Sequence, residues 1–380
     1  MSVDITLGGE KRSFCRPVRG FARLKSILSL IVAFNVLSAA ASAQSWEATW
    51  AQTVAAAKKE GRLVLSAPAG NVWRDQLMKF QEAYPEIKLD ITTAPSRDYW
   101  ARVEKEREAG QYLWDLRIGG LDTLTYRMKK IGFMAPLRAE LILPEVTDGK
   151  SWRNGFDGIF FDAEKKYFVS FCMYESFFGY FNEQAINPSE ITTMEDLLKP
   201  SLKGKLSLQD PRGGAGLVNM GVAYHRLGEQ YVRRLVAEQI GVVTNDPRQQ
   251  VEWALSGRYP IAIGLPSAIL VDYQKRGVSL PIQKISELKE WSAGVCSAQM
   301  LNNAPHPKAT RLFINWLLTP KVQTQLMVAV ELNSMRTDVL PAAPNRAVPA
   351  DRLSEYVPDQ TEEVMPYQEK AGDIFKELLK

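Results

Sequence analysis

The chain has 380 residues, 47 of them basic and 43 acidic, with two histidines and three cysteines. Its formal charge of +4 arises before residue 44, where six basic and two acidic residues fall, so the rest carries 41 of each sign and is neutral. That balance excludes a basic footprint for nucleic acid or an anionic membrane surface. Two histidines argue against a His-rich metal site, and the length predicts two lobes rather than one core.

Lys11, Arg12, Arg16, Arg19, Arg23 and Lys25 form a basic leader. An apolar run from Ile27 to Ala40 follows, then Ala41-Ser42-Ala43, the small-x-small pattern that a signal peptidase needs. Residues 1–43 therefore read as an export signal cleaved after Ala43. The run is shorter than the roughly twenty residues that span a bilayer. Cys15 precedes the run, the wrong place for a lipid anchor. Cys172 and Cys296 are left, and the sequence leaves buried free thiols and a pair both open.

Trp46, Trp50, Val54 and Ala57 repeat at helical spacing, with Gly61 placed as a C-cap. A strand at Leu63–Leu65 leads through the small-residue loop Ser66–Asn71 into a helix carrying Trp73, Leu77, Phe80 and Tyr84. Pro85 stops that helix, and Ile87, Leu89 and Ile91 alternate as a strand. A charged helix spans about Asp98–Ala109. A strand at Leu113–Ile118 breaks at Gly119-Gly120, and a helix begins near Asp122. Thr193–Leu198 is a short helix stopped by Pro200. The strand Lys205–Gln209 leads through Asp210-Pro211-Arg212-Gly213-Gly214-Ala215-Gly216 into a helix reaching Tyr224. Asp246-Pro247 caps a helix ending near Gly257. The strand Tyr259–Ile263 and Gly264-Leu265-Pro266-Ser267 precede another helix. The tail is Pro-rich to about Pro358 and helical from Glu369 to Leu379. Strand, loop and helix in repetition predict an α/β layer architecture with a mainly parallel sheet. In such sheets ligands collect at the carboxyl ends of strands, where helices begin.

Residues 301–318, LNNAPHPKATRLFINWLL, are a Pro-punctuated loop entering an amphipathic helix. They resemble the corresponding segment of periplasmic solute-binding proteins of ABC importers, in the ferric-type branch. TTMEDLLKPSLKGKLSLQDP (Thr192–Pro211), GYFNEQAI (Gly179–Ile186), ALSGRYPIAIG (Ala254–Gly264) and ELNSMRTDV (Glu331–Val339) are similar to further segments of that family in the same order. The resemblance implies a two-lobe α/β fold of the type II periplasmic-binding-protein class, with a hinge between the lobes. It implies crossings near Tyr167–Tyr174 and Ser292–Met300, hence a first lobe of 44–172 plus 297–380 and a second of 173–296. Cys172 and Cys296 fall in those crossings, where a disulfide would stiffen the hinge if the strands are neighbours.

The implied partners are a small-molecule solute and the membrane permease of an ABC importer, in the periplasm, with no cofactor and no catalysis, for a monomer. Ferric-binding members carry adjacent tyrosines just after the strand equivalent to Ile261–Gly264. Here that place reads Gly264-Leu265-Pro266-Ser267, with no tyrosine before Tyr273, so the tyrosinate iron site is absent. The cleft is then expected to hold an organic solute with an anionic group, at helix starts. Ser66, Asn71 and Ser267 would supply neutral hydrogen bonds, Gly213 and Gly214 a cradle, and Arg212 a bidentate fork. Tyr174 and Glu175 would hold an amine or sugar, and Asp122 would contact solute or cap its helix. A metal carrier using Tyr174, Glu175 and Asp122 is the alternative in the same fold. An exported enzyme is a third reading. Against it, Ser267 lacks the second glycine of a nucleophile elbow, and no nucleophile–base pair stands at a recognisable spacing.

Overall fold

A computed structural model describes residues 46–212 and 214–379. Residues 1–43, read as an export signal, and Gly213 lie outside the described residues. The chain divides into compact units at 1–51 and 52–380. Residues 46–51 of the first are helical, and the second opens with helical residues 52–60 (α1).

The second unit begins with β1 (Arg62–Ala67), α2 (Asn71–Ala83), β2 (Lys88–Thr93), α3 (Ser96–Glu108), β3 (Leu116–Gly119) and α4 (Thr123–Lys130), then α5 (Pro144–Thr147). β4 (Phe168–Ser170) and β5 (Cys172–Asn182) follow almost without a break. Next come β6 (Leu206–Gln209), α6 (Gly214–Leu227), α7 (Glu229–Arg234), β7 (Ile240–Thr244), α8 (Pro247–Leu255), β8 (Ile261–Ile263) and α9 (Ser267–Lys275). The chain continues as β9 (Ile282–Ser292), β10 (Ser297–Met300), α10 (Pro307–Leu317), α11 (Pro320–Val330), β11 (Asn333–Ser334), β12 (Val357–Pro358) and α12 (Met365–Leu378). The segment read as a helix around Thr193–Leu198 is a single 3-10 turn, Glu195–Leu198.

Two sheets result. The first has strand order β2-β1-β3-β10-β4, and the second β12-β9-β5-β8-β6-β7 with β11 paired to β5. β1 runs parallel to β2 and β3, whereas β10 runs antiparallel to β3 and β4. In the second sheet β6 is parallel to β7 and β8, and β5 is antiparallel to β8 and β9. Both sheets are therefore mixed. Their antiparallel members are the strands that connect the two.

β3 is buried along its whole length because β1 and β10 flank it. The loop at 301–307 is tied to it by Asp115. That carboxylate accepts from the backbone N–H of Val64 (2.8 Å) and of His306 (2.7 Å), and lies 2.8 Å from His306 Nδ1. Pro307 then starts α10, whose Leu312, Phe313, Ile314 and Leu317 are buried. Phe80 of α2 packs edge-on against Phe313 and Trp316 at 5.0 and 5.3 Å. Each such pair adds about 0.5–1.5 kcal/mol beyond its area.

The second sheet is covered on both faces. Phe178, Leu206, Leu208, Ile261 and Ile263 pack with Met220 and Ala223 of α6 and with Ala371, Ile374 and Phe375 of α12. Phe177, Tyr180 and Ala262 pack with Val251 and Ala254 of α8 and Leu270 of α9. A bulge between Phe177 and Gly179 lets Phe177 and Tyr180, three apart, join one cluster.

The chain passes from the first sheet to the second between Ser170 and Cys172, and returns between Ser292 and Ser297. Cys172 and Cys296 are joined by a disulfide there, with Cα atoms 5.6 Å apart. The free-thiol alternative is thereby excluded. A further passage differs from the sequence reading, which kept 297–380 whole with the first lobe. β12 pairs with β9, and α12 lies on α6. The physical reason is a close helix contact: a Cβ on Gly221 of α6 would stand 2.3 Å from Gln368 Cγ of α12, so only glycine admits the second helix.

Candidate functional site

In the first sheet the strand ends carry Ser66, buried on β1, and Gly119-Gly120 after β3. Asn71 opens α2 and is exposed, behind Gly70 at φ 114°. Asp122 caps α4: its Oδ1 accepts from Thr125 N–H and from Thr125 Oγ1–H, both at 2.8 Å. Of the two roles open to Asp122, the cap is therefore filled.

The second sheet's ends are built from close backbone contacts. A Cβ on Gly216 would lie 2.2 Å from the Gln209 carbonyl, and one on Gly264 (φ 73°) would lie 3.0 Å from Gly216 Cα. The start of α6 thus rests directly on the ends of β6 and β8, which the Gly-rich sequence makes possible. Gly214, at φ 60°, is the first residue of α6. Arg212 is exposed and turned back: Nε and Nη2 donate to the Asp210 carboxylate at 2.6 to 3.1 Å. This fork holds the Asp210 carboxyl below its usual range. Ser267 opens α9 near Tyr180, whose phenol is raised by burial.

On the crossing strand β5, Tyr174 and Glu175 are successive residues and so project to opposite faces. Glu175 accepts from Tyr356 O–H at 2.6 Å and lies 3.6 Å from Lys284 Nζ. Tyr174 stands opposite Ser292 in the β5–β9 register. The guanidinium of Arg346 stacks over its ring at 4.3 Å. Burial, then the neighbouring Asp359, raise the Tyr174 phenol. Asp122, Tyr174 and Glu175 are each engaged separately. Among the described residues no three or more His, Cys, Asp or Glu side chains converge as a metal site.

The sequence reading missed the most unusual charge in the molecule. Arg117 lies inside β3, only 4 % exposed, and pairs with no carboxylate among the described residues. Its Nη1 donates to the Gly120 carbonyl at 3.0 Å and to Gln299 Oε1 at 2.6 Å. The guanidinium lies over Tyr99 and Trp100 of α3 at 5.6 and 5.4 Å. It runs along the strand toward the carboxyl end and fills the place of a Gly119 side chain, since a Cβ there would be 2.6 Å from Arg117 Cζ. Burial lowers its pKa, and the more distant Asp122 acts in the opposite sense. The signal was present: Leu116-Arg117-Ile118-Gly119-Gly120 is a central buried strand with one charge inside it and glycine at the next position on the same face.

Arg117 adjoins the return crossing. A Cβ on Gly120 would be 2.9 Å from the Gly294 carbonyl, which also accepts from Gln360 Nε2 at 3.2 Å. A Cβ on Gly294 would in turn be 3.1 Å from the Tyr174 hydroxyl oxygen. Beyond this bend, the second sheet buries Glu290 and Asp359. Asn219 Nδ2 donates to Glu290 Oε2 at 3.0 Å, and Asp359 N–H donates to the Trp291 carbonyl at 3.0 Å. Glu290 Oε1 and Asp359 Oδ1 have no hydrogen-bond partner. Burial pushes the Asp359 carboxyl up to about 8 and raises Glu290 well above the carboxylate range.

Among solved structures, this fold is similar to iron-bound HitA from Pseudomonas aeruginosa, at 14% identity and TM-score 0.60, covering 83% of this chain and 99% of that one. It is similar to AfuA from Actinobacillus pleuropneumoniae with exogenous fructose-6-phosphate bound, at 17% identity and TM-score 0.58, covering 84% and 98%. It is also similar to the Trichodesmium protein IdiA (FutA) in complex with iron and citrate, at 15% identity and TM-score 0.62, covering 84% and 99%. At such identities the likeness concerns the fold. No curated protein matches the sequence. The family model for bacterial extracellular solute-binding proteins matches residues 44–324. With two mixed sheets and paired crossings in place, the chain belongs to that family, whose members bind a small solute for an ABC importer.

Proposed function

We propose that this protein binds a small organic solute bearing an anionic group and passes it unchanged to the membrane permease of an ABC importer. It acts as a monomer in the periplasm, after cleavage following Ala43, and performs no catalysis. The observation that carries this reading is the arrangement around the crossings. Two sheets present strand ends and helix starts, at α2 and α4 in one and α6 and α9 in the other, and a disulfide ties the strands between them. In this reading residues 44–172 and the chain from 297 to β12 form one lobe, and 173–296 with β12 and α12 form the other. Ser66, Asn71, Tyr174, Gly213, Gly214 and Ser267 remain candidate contacts. Asp122, Glu175 and Arg212 act first through the cap and ion pairs that occupy them. HitA holds iron and AfuA holds fructose-6-phosphate. The absence of tyrosine at Gly264–Ser267 supports an organic solute over a ferric ion.

Native mass spectrometry of gently purified protein tests the reading. The expected result is a retained small molecule, released intact on denaturation. A solute at one hundred times its dissociation constant should also stabilise the fold by about 2.7 kcal/mol, read as a rise in Tm. Conversion of the retained molecule by the pure protein would refute a transport-only role.

A further inference from the structure

Arg117 presents an unbalanced account of charge. A guanidinium carries five N–H donors and stays protonated at any physiological pH. Burying it without a carboxylate costs several kcal/mol per ion by general estimate. Its bonds to protein acceptors, Gly120 O and Gln299 Oε1, both come from Nη1. Nε and Nη2, the side of the fork that would meet an oxyanion bidentately, donate to no described residue. Gln299 itself is held, its Nε2 donating to the Gly119 and Ser297 carbonyls at 3.1 and 3.0 Å. The guanidinium is thus fixed in place by neutral groups, not neutralised.

A second arginine shares this property. Arg346 stacks on Tyr174, pairs with no carboxylate among the described residues, and has a buried Nε without a partner. Tyr174 links the two: its ring lies under Arg346, and its hydroxyl lies at the Gly294 bend against which Gly120, the acceptor for Arg117, is packed. The cations flank the crossings from the two sides of one chain of contacts.

We propose that Arg117 is the anchor for an oxyanion group of the solute, a carboxylate, phosphate or phosphonate, with Arg346 as a second cation for the same ligand. The inference rests on the solute-binding reading above and narrows it to one ligand chemistry and one primary residue. Gly119 is part of the device, because any side chain there would displace the guanidinium. Trp100 and Tyr99 supply an apolar wall and two ring faces, which strengthen the attraction for an anion by keeping water away.

The test is calorimetric titration of purified protein with inorganic phosphate, succinate and 2-aminoethylphosphonate, against glucose and choline at matched ionic strength. At least one oxyanion probe should bind, and glucose and choline should not. Arg117→Gln should weaken that binding by about 30-fold or more, the loss expected when one partner of a buried charge pair is removed. Arg117→Lys, which keeps the charge but loses the fork, should fall between, and Arg346→Gln should show a smaller loss than Arg117→Gln. Circular dichroism melts establish that each variant is folded, with Arg117→Lys as the milder change. Oxyanion binding equal to wild type in a folded Arg117→Gln protein would overturn the assignment. So would binding of glucose or choline alone, or a solute retained in native mass spectra that carries no oxyanion. The last two results would leave solute binding itself standing.

Discussion

The two sheets each bury charge without an opposite partner, and comparing them separates two physical outcomes. In the second sheet the groups are acids, Glu290 and Asp359, with one oxygen on each unpartnered. An acid in that position escapes the cost by keeping its proton, as the upward shift of both carboxyls records. In the first sheet the group is Arg117, and an arginine has no such exit. Similar burial therefore favours the neutral form of the second sheet's acids and leaves the first sheet's arginine charged. The contrast with Arg212 is as instructive. That residue sits beside a Gly-rich helix start but is exposed and paired with Asp210, so water and a carboxylate already meet its charge.

The largest expected effect concerns the strands between the sheets. Replacing Cys172 and Cys296 by serine opens a loop spanning a separation of 124 residues and should lower stability by about 2–4 kcal/mol, read as a lower urea midpoint. Two transitions in place of one would mean that the sheets then unfold separately. An unchanged midpoint would mean that pairing alone holds the crossing.

The next effect tests whether the second sheet discharges its acids. Asp359, raised to about 8 in the folded state, stabilises the fold fully below its unfolded pKa, and this contribution is lost progressively as pH rises from there to about 8. Asp359→Asn is neutral at every pH. It should therefore be more stable than wild type by an amount that grows by at most about 1.4 kcal/mol per pH unit from pH 4 to pH 8, with the difference vanishing near pH 4. Melting curves from pH 4 to 9 measure it. A wild-type Tm that is flat across that range would indicate that the carboxyl is paired rather than protonated, and would erase the contrast with Arg117.

The smallest effect lies beside Arg117. Asp122→Ala removes the cap of α4 and should cost about 1 kcal/mol in the urea midpoint. Oxyanion affinity should change by less than in Arg117→Gln, because the carboxylate is spent on Thr125. A gain in affinity beyond tenfold would show that Asp122 screens the guanidinium more strongly than its capping bonds suggest.

Much of the architecture was legible because it is local. Asp246-Pro247 reads as a helix start, and Asp246 indeed accepts from the Arg248 and Gln249 amides. Gly119-Gly120 ends a strand, and Pro307 opens α10. The association of Cys172 with Cys296 was open until the crossings were placed side by side. The fate of the tail was not legible at all: α12 is an ordinary amphipathic helix, and its address depends on Gly221, far back in the sequence. The candidate contacts were the least legible part. Sequence reasoning favoured polar residues in loops, where Asp122 and Arg212 turned out to be satisfied by near neighbours. It passed over Arg117, the anchor proposed above, since a residue within a strand is expected to pack rather than to bind.

Elements, caps and turns in this protein follow from short-range rules: side-chain period, proline and glycine conformation, and hydroxyl or carboxylate groups one turn from free amides. The amino-acid order alone determines those. Which charges are compensated is a different kind of property, because Arg117 is left without an ion pair among the described residues only once β1, β3, β10 and α3 have closed around it. Desolvation and pairing are decided by groups distant along the chain, so the tertiary structure alone settles where this molecule carries uncancelled charge.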